Sequence, residues 1–174
     1  MEEVRLLMQN LPMDRIGISI RLMLGTGMKG QEMLGLRVRN VAADCSEIHV
    51  VEAVKQVRGT VLVGNTKTAT STRAVPIPHN QREPLVQFCA ISKDFIWEPT
   101  KRPGQPCNPS PFRYTFKEAI ANVEGVRVLT PHYCRYSCVS MMQSWGVSME
   151  TIRDMYGHIE GDMTTHYLHV QKPV

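Results

Sequence analysis

The stretch "TPHYCRYS", residues 130–137, marks the start of a helix that carries two polar side chains. Pro131 fits the first turn of a helix, where the N–H that proline lacks has no partner to lose. His132 and Arg135 lie three residues apart, so both side chains project from the same face of that helix. Alone, this pair is more typical of a surface helix turn than of a functional site, and its meaning depends on the rest of the chain.

Polar groups of the same kind recur at the ends of other predicted elements. In "GTGMKGQE", Lys29 and Glu32 stand at a helix beginning, where exposed N–H groups favour an anion. Lys67 lies in the tip between two predicted strands, and His158 follows the last predicted helix, nine residues before Tyr167. Each has an ordinary interpretation: a local ion pair, a solvated hairpin lysine, a helix cap and a core tyrosine.

The stretch "GHIEGDMTTHYLHV", residues 157–170, is dense in histidine. His166 and His169 lie three apart, a spacing that one helix face can present to a metal ion. The spacing alone leaves a metal site open.

Composition restricts the class of protein. With 174 residues, 43% of them hydrophobic, the chain can form one domain with a substantial core. No apolar run approaches the ~20 residues that span a bilayer, and the acidic start is unlike a signal peptide, so we expect a soluble, cytoplasmic protein. Five cysteines without a CxxC pair predict buried thiols rather than a disulfide framework. A net charge of +4 permits a nucleic-acid partner without requiring one.

The hydrophobic pattern predicts an α+β fold that is mainly helical. Helical spacing indicates two helices before residue 40, one over residues 81–91 and three after residue 111. Three short β-branched runs predict a small three-stranded antiparallel sheet, and they cover residues 47–54, 60–64 and 73–78. The proline-rich residues 98–111 predict a loop.

The order of the motifs is more distinctive than any one of them. "TGMKGQEML" is followed by "TKTATSTRAVPIP", then by "PHYCRYS", "YGH" and "TTHYLHV". In that order and at those separations, the chain resembles the catalytic domain of the tyrosine recombinases, the integrases of phages and mobile elements. The family places its nucleophilic tyrosine nine residues after the histidine of the GH pair, which is the separation of His158 and Tyr167.

The resemblance implies a role for each matching residue. Tyr167 is the nucleophile that attacks a DNA phosphodiester and forms a 3′-phosphotyrosyl link, with no metal or cofactor. Five of the other matching residues surround the phosphate, namely Lys29, Lys67, His132, Arg135 and His158. Glu32 is the acidic companion that orients the cation at position 29. One position departs from the family, which has an arginine where this chain has Lys29. A guanidinium grips two phosphate oxygens with a fixed fork, whereas an ammonium is a point charge on a flexible stem.

The resemblance also implies partners and organisation. The expected partner is double-stranded DNA, bound by four protomers that exchange strands between two duplexes, although the isolated domain can be a monomer. We expect residues 1–174 to correspond to the catalytic domain alone, without the N-terminal core-binding domain that usually accompanies it or the arm-binding domain that sometimes does. Four other basic residues are interpreted as solvated, namely Arg37, Arg39, Arg73 and Lys101.

Three alternatives stay open from the sequence. Lys29 could mark a catalytically impaired DNA-binding module of the same fold. A relaxing type IB topoisomerase would share the chemistry, although the order of the motifs favours an integrase. A metal-dependent hydrolase would lose its activity in a chelator.

Overall fold

The structure is a computed structural model that describes residues 2–65 and 72–156. In those ranges the helices are α1 (Glu2–Asn10), α2 (Arg15–Thr26), α3 (Gly30–Gly35), α4 (His79–Ile91), α5 (Pro109–Ala121), α6 (Pro131–Ser144) and α7 (Met149–Tyr156). The strands are β1 (Glu47–Val50), β2 (Glu52–Val57), β3 (Thr60–Asn65) and β4 (Arg73–Pro76), and a short 3-10 helix spans Val38–Asn40. The prediction of a mainly helical α+β domain is confirmed.

Helix α2 is the main difference from the predicted helices. The pattern predicts two helices before residue 40, but the structure has three, because α2 is buried on nearly every side and has no polar face to reveal it. Its ends follow ordinary capping rules. The Asp14 carboxylate accepts a hydrogen bond from the Gly17 N–H at 2.9 Å, and Gly27 ends the helix in the left-handed conformation at φ +63°.

The strands form two antiparallel pairs rather than the single three-stranded sheet predicted. β1 pairs with β4, and β2 pairs with β3. The predicted first strand is interrupted at Val51, so its two halves become β1 and β2 and pair with different partners. The register of β1 sets Glu47 opposite Pro76, the residue at which β4 ends, as expected from a side chain that removes a backbone donor.

The core lies around α2, which packs against α4, α5 and α6. Its fully buried side chains include Leu22, Met23, Phe116 and Ile120. A second, smaller cluster joins α6 to α7 through side chains that include Ile152. Within the two described ranges, no helix is long and apolar enough to cross a bilayer.

The five cysteines are free thiols, as predicted. Cys45, Cys134 and Cys138 are buried, while Cys89 and Cys107 are half-buried. Burial raises the pKa of the Cys134 thiol to about 12, which keeps it protonated and unreactive near neutral pH.

We expect Arg21→Met to destabilise the fold strongly. The buried Arg21 guanidinium joins α1 to α2 by donating to the carbonyls of Met8 at 3.3 Å and Pro12 at 2.8 Å, and also to that of Leu11. Methionine fills similar space but leaves these acceptors without their charged donor. The free energy of unfolding, measured by urea denaturation, should fall by about 2–3 kcal/mol. The control Arg5→Met removes an exposed ion pair and should leave it nearly unchanged; equal losses in the two variants would contradict the prediction.

Candidate active site

The turn between α2 and α3 meets the beginning of α6. A Cβ added to Gly30 would lie 3.2 Å from the Cβ of Pro131, so the first residues of α3 and α6 are in close contact. Lys29 lies in this turn and is exposed, and His132 is exposed on the first turn of α6. The structure therefore brings together Lys29 and His132, which are more than a hundred residues apart in sequence.

Arg135 lies beneath this meeting point and is buried, with 2% of its surface exposed. Its guanidinium donates from Nη1 to the Gly27 carbonyl at 3.0 Å and from Nη2 to the Tyr156 carbonyl at 2.8 Å. The ring of Tyr156 also faces it, with its centroid 5.0 Å from the guanidinium carbon. Two carbonyls thus fix the planar group between the ends of α2 and α7, and no residue of the described ranges accepts a hydrogen bond from Nε.

The charge of Arg135 is held in an unfavourable environment. Burial lowers its pKa, the nearby Glu32 charge raises it, and the Arg73 charge lowers it again. Carbonyl oxygens carry only partial charge, so they do not neutralise a buried guanidinium. Within the described ranges, no carboxylate forms a hydrogen bond or ion pair with Arg135, so its positive charge remains largely uncompensated there.

His132 is suited to accept a proton. Partial burial, followed by the charges of Arg135 and Lys29, lowers its pKa below 6.5. The imidazole is therefore mostly neutral near pH 7. Its ring lies edge-on to that of Tyr136, with centroids 4.6 Å apart, and this contact restricts its orientation.

Glu32 is bonded to Arg73, a residue that sequence analysis interprets as solvated. That interpretation is wrong: the Arg73 and Glu32 side chains are each only 7% exposed and form an ion pair with an N–O distance of 2.8 Å. Glu32 also accepts a hydrogen bond from the backbone N–H of Lys29 at 2.9 Å. Burial opposes ionisation of Glu32, but the Arg73 guanidinium, the Lys29 N–H and the Arg135 charge together lower its pKa.

Arg37 is also not solvated, contrary to the sequence-based interpretation. It pairs with Glu52 at 2.6 Å and with Asp94, and its guanidinium lies 4.1 Å from the centroid of the Phe95 ring. Its charge is matched by carboxylates, so it is a structural residue that joins the segment after α3 to β2 and to the segment after α4. Arg39 and Lys101 are exposed, as predicted.

Three predicted site residues lie outside the described residues: Lys67, His158 and Tyr167. His166 and His169 lie there as well. Within residues 2–65 and 72–156, no group of three or more histidine, cysteine, aspartate or glutamate side chains is arranged to hold a metal ion.

Sequence analysis overlooks the groups that hold Arg135, namely Gly27 and Tyr156. Their carbonyl oxygens are its acceptors, and no side-chain pattern reveals a backbone acceptor. Two signals were present for Arg73, however. It lies two residues before the buried Val75 on β4, so alternation places both side chains on the same face, and it belongs to the same motif as Lys67.

We expect Gly27→Ala to destabilise the protein because there is no room for a side chain. A Cβ at this position would lie 2.1 Å from the Tyr156 ring, on a backbone whose φ is +63°. Clash and backbone strain together should lower the free energy of unfolding by about 2–4 kcal/mol. The control Gly59→Ala has φ +83° and nothing within 4 Å, so it isolates the strain. If urea denaturation gives equal losses for both, the contact with Tyr156 is unimportant.

Comparison with known proteins identifies the class. A model described as the phage integrase family matches residues 1–173. The chain belongs to this family, and its fold is that of a tyrosine recombinase catalytic domain, which confirms the resemblance found in the sequence motifs.

Two curated relatives are also tyrosine recombinases. A tyrosine recombinase XerC-like protein of Caldanaerobacter subterraneus subsp. tengcongensis is 26% identical, over 98% of this chain and 50% of its own length. Tyrosine recombinase XerD of Halalkalibacterium halodurans is 26% identical, over 98% of this chain and 56% of its own. The chain thus spans about half the length of the curated relatives it matches.

Solved structures share the fold at lower identity. The Tn1549 transposon integrase in complex with transposon right end DNA has a TM-score of 0.74 at 16% identity, covering 91% of this chain and 55% of its own. The XerA recombinase also has a TM-score of 0.74 at 16% identity, covering 99% of this chain and 59% of its own.

Proposed function

We propose that this protein carries out site-specific recombination of DNA, in which Tyr167 attacks a phosphodiester and forms a 3′-phosphotyrosyl intermediate. Family membership supports the reaction class. The observation that carries the proposal is Arg135, a buried guanidinium fixed by two backbone carbonyls beside the exposed His132 and Lys29. A fixed positive charge that is bonded to no carboxylate among residues 2–65 and 72–156 is suited to a phosphate.

The chemistry must stabilise the charge that builds up on the phosphate oxygens during attack. Arg135 supplies a charge whose orientation is set before the substrate binds, so little reorganisation is needed in the transition state. Lys29 and His158 supply the remaining contacts to the phosphate in this proposal. Positive charge from side chains would then perform the electrostatic role that a metal ion plays in other phosphoryl-transfer sites.

Two proton transfers accompany the exchange of bonds. As the Tyr167 oxygen bonds to phosphorus, its proton passes to the neutral imidazole of His132. As the bond from phosphorus to the 5′ oxygen breaks, that oxygen takes a proton from Lys67. The new link is still a phosphate diester, so a 5′-hydroxyl of another strand can reverse the attack without ATP. The partner is double-stranded DNA, and we propose that four protomers bring two duplexes together.

A second candidate function is supported by Lys29. The family arginine is absent at this position, so the protein could bind DNA as an impaired module that cleaves it slowly or not at all. Both candidates predict DNA binding, and they differ in covalent chemistry.

A covalent-adduct experiment distinguishes them. Nicked suicide duplexes that carry a candidate attachment site release a short fragment after cleavage, which traps the 3′-phosphotyrosyl product. On a denaturing gel, recombinase function predicts a protein–DNA band that is absent in Tyr167→Phe and retained in the matched control Tyr114→Phe, which alters an exposed tyrosine of α5. A band that survives Tyr167→Phe would contradict the proposed nucleophile.

The same gel tests the impaired module. A band that appears only in Lys29→Arg would favour impairment, and absence of a band from both proteins would refute recombinase function on that site. Retention of the band in a chelator is expected, and its loss would favour a metal-dependent reaction.

A further inference from the structure

We propose that Arg73 is a positioning residue of this site: it holds the Glu32 carboxylate away from Arg135, so that Arg135 keeps its charge available for phosphate. The inference rests on the proposed function and assigns a role to Arg73, to which the family resemblance gave none. It follows from the hydrogen bonds that the buried Glu32 carboxylate accepts from Arg73 and from the Lys29 N–H.

The bond between Arg73 and Glu32 uses both ends of each group. Nη1 of Arg73 donates to Oε1 of Glu32 at 3.1 Å, and Nη2 donates to Oε2 at 2.8 Å. This parallel arrangement is the strongest geometry available to the pair and fixes the plane of the carboxylate. Since Oε2 also accepts the Lys29 N–H at 2.9 Å, the carboxylate is directed to β4 and to the turn at the start of α3.

Arg135 is the other guanidinium within reach of Glu32. The two groups influence each other's pKa, yet the hydrogen bonds of the Arg135 guanidinium within the described ranges go to carbonyls rather than to Glu32. The Tyr156 hydroxyl and the Cys138 thiol, 2.8 Å apart, also lie close to Arg135, but burial raises the pKa of both, so they stay neutral. Glu32 is thus the carboxylate that pairs with Arg73, whereas the hydrogen bonds of Arg135 within the described ranges go to carbonyls and leave its charge unpaired there.

Arg37 shows the contrasting arrangement. It has two carboxylate partners, Glu52 and Asp94, and has no charge left for a ligand. If Arg73 were absent, Glu32 would retain the Lys29 N–H but lose its guanidinium. Arg135, whose charge already lowers the pKa of Glu32, would then be a cation that could pair with it, and the pair would consume the charge that the phosphate needs.

The test measures the binding of inorganic phosphate, followed by the NMR resonances of His132, so it does not depend on cleavage. We expect Arg73→Met to weaken binding on the order of tenfold relative to the unsubstituted protein. The double variant Arg73→Met/Glu32→Gln should recover most of this loss, because the competing carboxylate is gone. Arg37→Met is the matched control and should bind phosphate as the unsubstituted protein does, even if it is less stable.

Specific outcomes would overturn the inference. These are unchanged binding in Arg73→Met, an equal loss in Arg37→Met, a double variant no better than the single one, or an unsubstituted protein that binds no phosphate. If Arg73→Met does not fold, the double variant is compared with Glu32→Gln, because removal of the carboxylate leaves Arg73 nothing to hold. Weaker phosphate binding by the double variant than by Glu32→Gln would then overturn the inference. Failure of the proposed function looks different: phosphate binding follows the expected order while no covalent DNA adduct forms.

Discussion

Arg135→Lys is expected to lower the rate of DNA strand cleavage by about 10²–10³-fold, equivalent to about 2.7–4 kcal/mol of transition-state stabilisation. The guanidinium donates to the Gly27 and Tyr156 carbonyls through two different nitrogens. These two bonds fix the plane of the group, and with it the direction of its remaining N–H bonds. A lysine ammonium can satisfy one or both carbonyls only by turning its single nitrogen toward them. The charge would remain, but it would not be positioned for the phosphate.

The measurement is the rate of covalent adduct formation under single-turnover conditions, with DNA affinity determined separately. Affinity should change far less than the rate, because contacts to phosphates along the duplex supply most of the binding free energy. Arg113→Lys, on the exposed face of α5, is the matched control and should affect neither quantity. A parallel loss of affinity and rate in Arg135→Lys would indicate that Arg135 supports ground-state binding instead.

The sequence predicted the helices that have polar faces or clear end signals. α6 begins at Pro131 as expected, and α7 follows Ser148, whose hydroxyl accepts a hydrogen bond from the Thr151 N–H at 3.1 Å. α2 was not predicted because it is buried on nearly every side and therefore has no amphipathic period. Asp14 and Gly27 were the usable signals for it, since a cap at each end delimits a helix even where its faces do not differ.

In the candidate site, too, the motifs predicted which residues belong but not how they are buried or paired. Motif order identified His132 and Arg135, but spacing alone could not say that one is exposed and the other buried. That difference arises because Arg135 shares the buried side of α6 with Cys134 and Cys138. Ion pairs between distant parts of the chain are harder still to predict from sequence. The ion pair of Arg73 with Glu32 joins residues 41 positions apart, and only the packing of β4 near α3 makes it possible.

These findings also bear on Lys29. The resemblance to the tyrosine recombinases implies that Glu32 is the acidic companion that orients the cation at this position. In the structure it binds the backbone N–H of Lys29, while both carboxylate oxygens are engaged by Arg73. The side chain at position 29 is therefore not captured by Glu32, and it is exposed toward the same surface as His132.

Lys29→Arg is accordingly expected to raise the cleavage rate by about 10²–10³-fold, the scale associated with one positioned oxyanion donor. An arginine here would find Glu32 already occupied, so its fork would remain free to grip two phosphate oxygens. The measurement is again single-turnover adduct formation on a nicked duplex, compared with Arg39→Lys as a control for altering an exposed basic side chain. Lys29→Met should be slower than the unsubstituted protein if the ammonium contributes at all. Equal rates for lysine and arginine would mean that this site has adapted to a point charge, with Arg135 carrying the phosphate contact that the fork supplies elsewhere in the family.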